Sequence, residues 1–415
     1  MEQNEKEKSS FSDWFSLGLS LNRNNAPHAN LANAIRILEN YPPFRDRFWF
    51  DEFHQKIFTS LNCQQDQFRA WDTDADEVLV TKLCQRDLGL SSMNTRTIGQ
   101  AVLYVSDKHR RNEVKAWLEQ LNWDQVNRVD SFFQNAAGVA ASEYHIAVSR
   151  NFWLSLVARV LRPGCKVDHM LVLEGPQGGF KSSLLQVIGG NYFTETSESP
   201  SSKDFYLGLQ GKFLVEISEL DSFNRADVTA VKRVITCRED RFRVPYGRAT
   251  KDFPRQCIFA GTTNRSDWGR DETGGRRFLP VSCSGIDLKY VRENRDQLFA
   301  EAVHRFKTGE EFWHMPVEAT RKQQEARRQQ DPWTPLIAEW LLDKRSRDRR
   351  VTIHRIFDEC LKVDACRRTK GDEIRISGIL KNEFRWEHCD GYAEGRKMKW
   401  WNPPENWPTG WHESK

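Results

Sequence analysis

The residues best suited to chemistry form a glycine-rich segment that ends in a lysine and two serines and follows a short apolar run. Glycines let backbone N–H groups converge on an anion, and a helix that begins after them adds its dipole. In such a loop the lysine meets the β- and γ-phosphates of a nucleotide, and the first serine hydroxyl coordinates Mg²⁺. The segment therefore predicts a site for ATP and Mg²⁺ formed by Gly175, Pro176, Gln177, Gly178, Gly179, Phe180, Lys181, Ser182 and Ser183.

This loop departs from the phosphate-loop pattern GxxxxGK[ST] at one position. Phe180 stands where a glycine is expected before the lysine, although Gly178 and Gly179 can supply backbone freedom nearby. Taken alone, the segment fits an ordinary strand-to-helix turn about as well as a phosphate loop.

Three later segments carry side chains suited to hydrolysis of a bound nucleotide. Glu216 and Glu219 end an apolar run and can hold Mg²⁺ and polarise water. Asn264 ends the next apolar run and can orient that water, while Arg276 and Arg277 can neutralise charge on the transferring phosphoryl group. Taken alone, the glutamate segment fits an edge strand, the asparagine fits a turn residue, and the two arginines fit an ordinary surface pair. Their order and spacing together predict an ATPase.

A basic segment lies between the acidic run and the asparagine-bearing run. Such a segment with an aromatic residue can follow a nucleic-acid backbone and stack on bases, and a solvated hairpin is the alternative. Its position inside the ATPase module favours DNA binding by Arg241, Arg243, Tyr246, Arg248 and Lys251.

The elements that must position these residues follow from hydrophobic periodicity. Short apolar runs, including Met170–Leu173, alternate with helical patterns, which is typical of an α/β domain with a largely parallel sheet. Residues 143–161 predict one long amphipathic helix. Helical spacing over residues 30–60, broken by two prolines, predicts a mainly helical N-terminal domain, and it returns over 76–88, 97–105 and 111–121.

Composition bounds the class of protein. The chain has 415 residues and a net charge of +4, which is too small to argue for nucleic-acid binding by itself. Its nine cysteines are scattered without CxxC spacing, which disfavours a disulfide framework or a zinc site and favours a cytoplasmic location. The sequence shows neither a secretory signal nor an apolar run long enough for a membrane span, so no membrane association is expected.

Several segments, taken in order, resemble the virulence-associated protein E family: RPGCKVDHMLVLEGPQGGFKSS, GKFLVEISEL, VPYGR, GTTN and TGGRRFLPV. The resemblance covers roughly residues 110–310 and includes the upstream VKAWLEQLNWDQVNRVDSFF. The family comprises P-loop ATPases of phages, satellites and integrated islands, similar to superfamily 3 helicases of the AAA+ class. An AAA+-like P-loop ATPase core is therefore implied.

The resemblance also implies a role for each candidate residue. Lys181 and Ser182 would form the Walker A site, and Glu216 with Glu219 the Walker B site. Asn264 would be the sensor, Arg276 or Arg277 the finger across a ring interface, and residues 241–251 the DNA-contacting loop of the pore. Which glutamate is catalytic stays open, because residues three apart point to opposite faces of an ideal strand.

The predicted organisation is a disordered tail (1–10), a helical N-terminal domain (11–135), the ATPase domain (136–310), a linker (311–333) and a C-terminal winged helix (334–415). The winged helix would comprise helices near 334–343, 352–362 and 371–384 and a wing over Trp386–Trp401. Its basic residues would be Arg375, Lys381, Arg396, Lys397 and Lys399. No acid set suited to a polymerase precedes the ATPase module, so a separate primase would supply primers where priming is required.

The leading hypothesis is a ring-forming, hexameric, ATP-dependent DNA translocase or helicase that acts on single-stranded or forked DNA during replication of a phage or mobile element. The alternative is an ATP-dependent DNA-binding switch, such as an origin-binding or phage-interference factor, without processive unwinding. A small-molecule kinase is disfavoured, because paired acids, a sensor asparagine and an arginine pair belong to ring ATPases.

Overall fold

The computed structural model describes residues 14–64, 67–200, 202–218, 225–243, 250–265, 277–327, 331–343, 351–393, 396–405 and 407. The chain divides into two compact units, Met1–Arg328 and Gln329–Lys415. Among the described residues, no helix combines the length and apolar character needed to cross a membrane.

The N-terminal part of the first unit combines helices with a small sheet. Its helices are α1 (Leu31–Asn40), α2 (Thr73–Asp87), α3 (Thr95–Lys108) and α4 (Glu113–Gln120). Its strands are β1 (Phe48–Asp51), β2 (Lys56–Thr59), β3 (Arg69–Ala70) and β4 (Arg110–Arg111), in the order β3-β2-β1-β4.

The prediction of helical structure across residues 30–60 is correct for α1 and wrong for the segment that follows the two prolines. Phe48 and Trp49 are buried on opposite faces of β1, and aromatic residues favour such half-buried strands. The Asp51 carboxylate accepts hydrogen bonds from the backbone N–H groups of Phe53 (3.1 Å) and His54 (2.6 Å). These bonds form the turn that returns the chain along β2.

A five-stranded parallel sheet forms the centre of the first unit. Its strands are β5 (Met170–Glu174), β6 (Phe193–Thr196), β7 (Leu214–Ile217), β10 (Ile258–Thr263) and β11 (Phe278–Ser282). Their order is β11-β5-β10-β7-β6, with every neighbouring pair parallel. Strands β5, β7 and β10 are buried along their whole length, as expected for a sheet covered on both faces. The predicted α/β class with a parallel sheet is therefore confirmed.

Helices cover both faces of this sheet, and a hairpin interrupts the succession of parallel strands. The helices are α5 (Phe132–Ala137), α6 (Glu143–Leu161), α7 (Lys181–Gly189), α8 (Lys203–Gly208), α9 (Arg225–Thr236), α10 (Leu288–Lys307) and α11 (Val317–Glu325). The hairpin pairs β8 (Glu239–Phe242) with β9 (Lys251–Pro254). One core lies between the sheet and α6, α7 and α10, and a second lies on the side of α8 and α9.

The second unit contains helices followed by a β-hairpin. The helices are α12 (Trp333–Leu342), α13 (Ile353–Arg355) with its π-helical continuation to Leu361, and α14 (Lys370–Gly378) with its π-helical continuation to Glu383. The hairpin pairs β12 (Glu387–Ala393) with β13 (Arg396–Asn402), and Val351 bridges to Trp401 of β13. These elements lie within about two residues of the predicted ones. The core of this unit includes Ile337, Phe357, Leu380 and Trp386.

Candidate nucleotide-binding site

The glycine-rich segment forms a tight loop between the end of β5 and the start of α7. Gly178 has φ 77°, in the left-handed region that favours glycine. A Cβ added at Gly175 would lie 3.2 Å from the carbonyl oxygen of Cys283, so this glycine also permits a close approach of two backbones. The loop places the amino end of α7 at the carboxyl edge of the parallel sheet. The amino end of a helix favours anions, because its backbone N–H groups and its dipole point toward them.

Phe180 adopts the backbone conformation that the missing glycine would favour. Its φ is 58° and its ψ is 20°, immediately before the first residue of α7, and its side chain is 60% exposed. A left-handed conformation costs a non-glycine residue about 1–2 kcal/mol. The sequence departs from the phosphate-loop pattern in residue type, while the backbone keeps a conformation that glycine adopts readily.

Lys181 joins the loop to the neighbouring strand. Its Nζ donates to the carbonyl oxygens of Gly175 (2.9 Å) and Pro176 (2.8 Å) and to Oδ1 of Asn264 (3.1 Å). Asn264 directly follows β10, which lies between β5 and β7. Parallel strand order therefore brings Lys181 and Asn264 together although they are 83 residues apart.

Glu216 is a fully buried carboxylate in β7 that faces the start of α7. Its Oε1 accepts hydrogen bonds from the hydroxyls of Ser182 (2.6 Å) and Thr262 (2.7 Å), while Oε2 has no hydrogen-bond partner among the described residues. Burial raises the pKa of Glu216, and the two hydroxyl hydrogen bonds oppose that rise. A buried carboxylate oxygen without a partner, next to a serine hydroxyl, is the kind of hard oxygen donor that Mg²⁺ prefers.

Two neighbours of Glu216 were missed in the sequence. Thr262 belongs to the GTTN segment but had no role there. Glu195 of β6 is the register partner of Glu216 and accepts a hydrogen bond from the Ser218 hydroxyl at 2.5 Å. The charge of Glu195 adds to the rise in the pKa of Glu216. A strand-ending glutamate in YFTET was the available signal, but only strand order reveals that β6 lies beside β7.

Of the arginine pair and the second acid, only Arg277 belongs to the described residues. Arg276 and Glu219 lie outside the described residues. Arg277 lies just before β11, close enough to α9 for its charge to add to the effect of burial in lowering the pKa of Lys232. The roles assigned to these residues stay predictions.

Three of the five predicted DNA-binding residues, Arg241, Arg243 and Lys251, lie on or directly beside the β8–β9 hairpin. Arg241 is exposed opposite Asp252, with Nε and Oδ1 3.4 Å apart, and Lys251 is exposed opposite Phe242. Arg243 directly follows β8, while Tyr246 and Arg248 lie outside the described residues. A buried ion pair between Arg255 and Asp240 and stacking of Phe242 on Phe253 (4.6 Å) anchor the base of the hairpin.

The family model for the virulence-associated protein E-like domain matches residues 118–332, which is more than half of the chain. The chain belongs to the virulence-associated protein E-like family. This confirms the resemblance inferred from the sequence. The match includes the phosphate loop, Glu216, Asn264 and the β8–β9 hairpin.

Solved structures also resemble this chain. The apo structure of the NrS-1 C-terminal region shares 13% sequence identity at a TM-score of 0.42, covering 86% of this chain and 96% of that chain. The A form apo structure of the same region gives 13% identity, a TM-score of 0.44 and the same coverage. No curated protein sequence matches this chain.

Proposed function

We propose that this protein hydrolyses ATP and couples hydrolysis to movement of DNA, as a ring-forming translocase or helicase in the replication of a phage or mobile element. The observation that carries the proposal is the buried Glu216 carboxylate, which is hydrogen-bonded to Ser182 at the start of the phosphate loop. The five-stranded parallel order, with Asn264 beside Lys181, supports an AAA+-like core of the superfamily 3 type.

Each residue of the site has a chemical task in this proposal. The backbone N–H groups of the loop and the amino end of α7 would bind the phosphates, and Lys181 would pair with their negative charge. Ser182 and Glu216, with Glu219, would hold Mg²⁺, which when bound supplies positive charge that offsets charge developing on the phosphates. Asn264 would orient the attacking water. Arg276 or Arg277 would act on the nucleotide of a neighbouring subunit.

The hairpin and the second unit would supply DNA contacts. Helices followed by a hairpin, with a bridge from Val351 to that hairpin, support a winged helix. Arg375, however, is committed to structure: it forms a bidentate ion pair with Asp331 (2.6 and 2.7 Å), and its guanidinium lies 3.9 Å from the ring centre of Trp333. A DNA phosphate would have to compete with Asp331 for Arg375, whose role as a DNA contact stays a prediction, whereas Lys381 and Lys399 are exposed.

ATP turnover with and without single-stranded DNA tests the proposal. Wild type should hydrolyse ATP faster with DNA, and Lys181→Ala should abolish turnover. Lys289→Ala, on an 81% exposed side chain of α10, is the matched control and should behave as wild type. Absence of turnover in wild type would contradict the ATPase proposal.

Strand displacement separates the translocase from the alternative. A DNA-stimulated ATPase that displaces no strand from a forked substrate would be the ATP-dependent switch, either origin-binding or phage-interfering. The switch has one structural observation in its favour, since Phe180 strains the loop on which turnover depends. Molar mass in solution with and without ATP tests whether a hexamer forms.

A further inference from the structure

An open pocket of about 460 Å³ lies at the end of the sheet opposite the phosphate loop. Its floor is the segment 162–169, which joins α6 to the amino end of β5, whereas the phosphate loop follows the carboxyl end of β5. Its volume falls in the usual range of small-molecule sites, about 300–1,000 Å³. The residues that characterise it are Asn151, Arg162, Lys166, His169, Arg238 and Trp313.

The pocket wall is positively charged. Three cationic residues line it against one acid, Asp168, which pairs with Lys166 at 3.1 Å. Arg159 is buried behind the wall. Among the described residues, its guanidinium donates to backbone carbonyls, including that of Cys237 at 3.2 Å. Burial raises the pKa of the Cys165 thiol in the pocket wall. The charges of three arginines oppose that rise: Arg159, Arg162 and Arg238.

The pocket also offers one donor and one acceptor beside an aromatic ring. Asn151 is 4% exposed, and its Nδ2 donates to Nδ1 of His169 (3.0 Å) and to the carbonyl of Phe312 (2.9 Å). This leaves Oδ1 of Asn151 as an acceptor and Nε2 of His169 as a donor, neither with a partner among the described residues. Trp313 is 46% exposed at the same pocket.

We propose that this pocket binds a nucleoside phosphate, presented as one nucleotide of single-stranded DNA. The arginines and Lys166 take the phosphate, Trp313 stacks on the base, and the Asn151–His169 pair faces the base edge. Arg238 directly precedes β8 and donates to the carbonyl of Gly164 in the pocket floor at 2.9 Å. The pocket is therefore continuous with the base of the basic hairpin, so a strand held by the hairpin can reach it. This inference rests on the proposed DNA-translocase function.

Binding of a fluorescein-labelled oligothymidylate, followed by anisotropy, tests the proposal on the full chain. Lys166→Glu combined with Trp313→Ala changes two exposed side chains and should weaken binding about tenfold, through loss of a phosphate contact and of base stacking. Lys289→Glu makes the same charge change on α10 and should leave affinity within about twofold, as expected of an exposed charge outside the site. Wild-type affinity in the double variant would overturn the proposal.

A photocrosslink locates the contact without relying on a variant. An oligonucleotide with a single 5-iodouracil should attach to the peptide that contains Trp313, and Trp313→Ala should remove that product. Crosslinks confined to other peptides would overturn the pocket assignment. If free thymidine monophosphate binds and the oligonucleotide does not, the pocket binds a nucleoside phosphate that comes from a free nucleotide and not from a DNA strand.

ATP turnover without DNA separates a failure of this inference from a failure of the proposed function. The pocket variants should hydrolyse ATP as wild type does, because they lie at the opposite edge of the sheet. Absence of the Trp313 crosslink in the wild-type protein, with normal DNA-stimulated turnover, would reject the pocket alone. A Trp313 crosslink in a protein without turnover would keep the pocket and reject the ATPase.

Discussion

Two buried glutamates, Glu174 at the end of β5 and Glu216 within β7, have opposite surroundings. Both oxygens of Glu174 have partners: Nε of Arg327 donates to Oε1 at 2.5 Å, and the Ser282 hydroxyl donates to Oε2 at 2.6 Å. Glu216 receives two hydroxyls on one oxygen and, among the described residues, has no hydrogen bond on the other. Glu174 is neutralised by an arginine of the protein, so removing that arginine should destabilise the fold. Glu216 has no such ion pair among the described residues, which suits it to bind a cation that arrives with a ligand.

Replacement at Glu216 should have the largest effect on activity. Glu216→Gln keeps the shape of the side chain and an acceptor for Ser182, but it removes the charge proposed to hold Mg²⁺. ATP hydrolysis should fall by at least about 100-fold, because losing a residue that merely hydrogen-bonds to a metal ligand already lowers activity by up to about 100-fold. Steady-state turnover across Mg²⁺ concentrations measures this. Normal turnover in Glu216→Gln would place the essential acid elsewhere.

The ion pair at the end of β5 should dominate stability instead. Arg327→Met leaves the Glu174 carboxylate buried without its cation and should lower the free energy of unfolding by about 3–5 kcal/mol. Urea unfolding measures the change. Arg321→Met, on a 60% exposed arginine of α11, the helix that ends just before Arg327, is the control and should cost no more than about 1 kcal/mol. Equal losses from the two variants would show that Glu174 does not depend on Arg327.

The pH dependence of stability should distinguish Glu216 from a neutralised carboxylate. Because burial raises the pKa of Glu216, folding favours its protonated form, and its contribution to stability is lost as pH rises through the raised pKa. Glu216→Gln removes that dependence. The variant should gain melting temperature relative to wild type above the raised pKa, and the gain should shrink on acidification. A difference independent of pH would contradict the raised pKa.

The smallest effect should come from Phe180, in the loop that begins beside Glu174. Phe180→Gly relieves the left-handed conformation but increases the freedom of the unfolded chain. Stability should therefore rise by no more than about 1 kcal/mol. Thermal unfolding checks this, with Phe180→Ala as the variant that stays strained. A loss of stability in Phe180→Gly would mean that contacts of the phenyl ring outweigh the strain.

The β1–β2 hairpin shows where local pattern fails. Aromatic residues at mixed spacing fit a helix or a strand, and the choice depends on packing that periodicity does not contain. The helix over residues 143–161 was predicted to the residue, since it begins at the Ser142 cap, whose side chain accepts from the His145 N–H, and ends before Pro163. The ion pair between Arg375 and Asp331, 44 residues earlier, could not be read from the sequence, because it depends on tertiary packing.

The sequence by itself determined the glycine-rich loop before α7, the succession of strands and the family, because these depend on short-range patterns of glycine, apolar and acidic residues. Only the tertiary structure decided that Thr262 and Glu195 belong beside Glu216, that Arg327 neutralises Glu174, and that a basic pocket faces away from the loop. Those contacts join residues far apart in the chain. They depend on the strand order β11-β5-β10-β7-β6, which the packing of helices on both faces selects and no local pattern encodes.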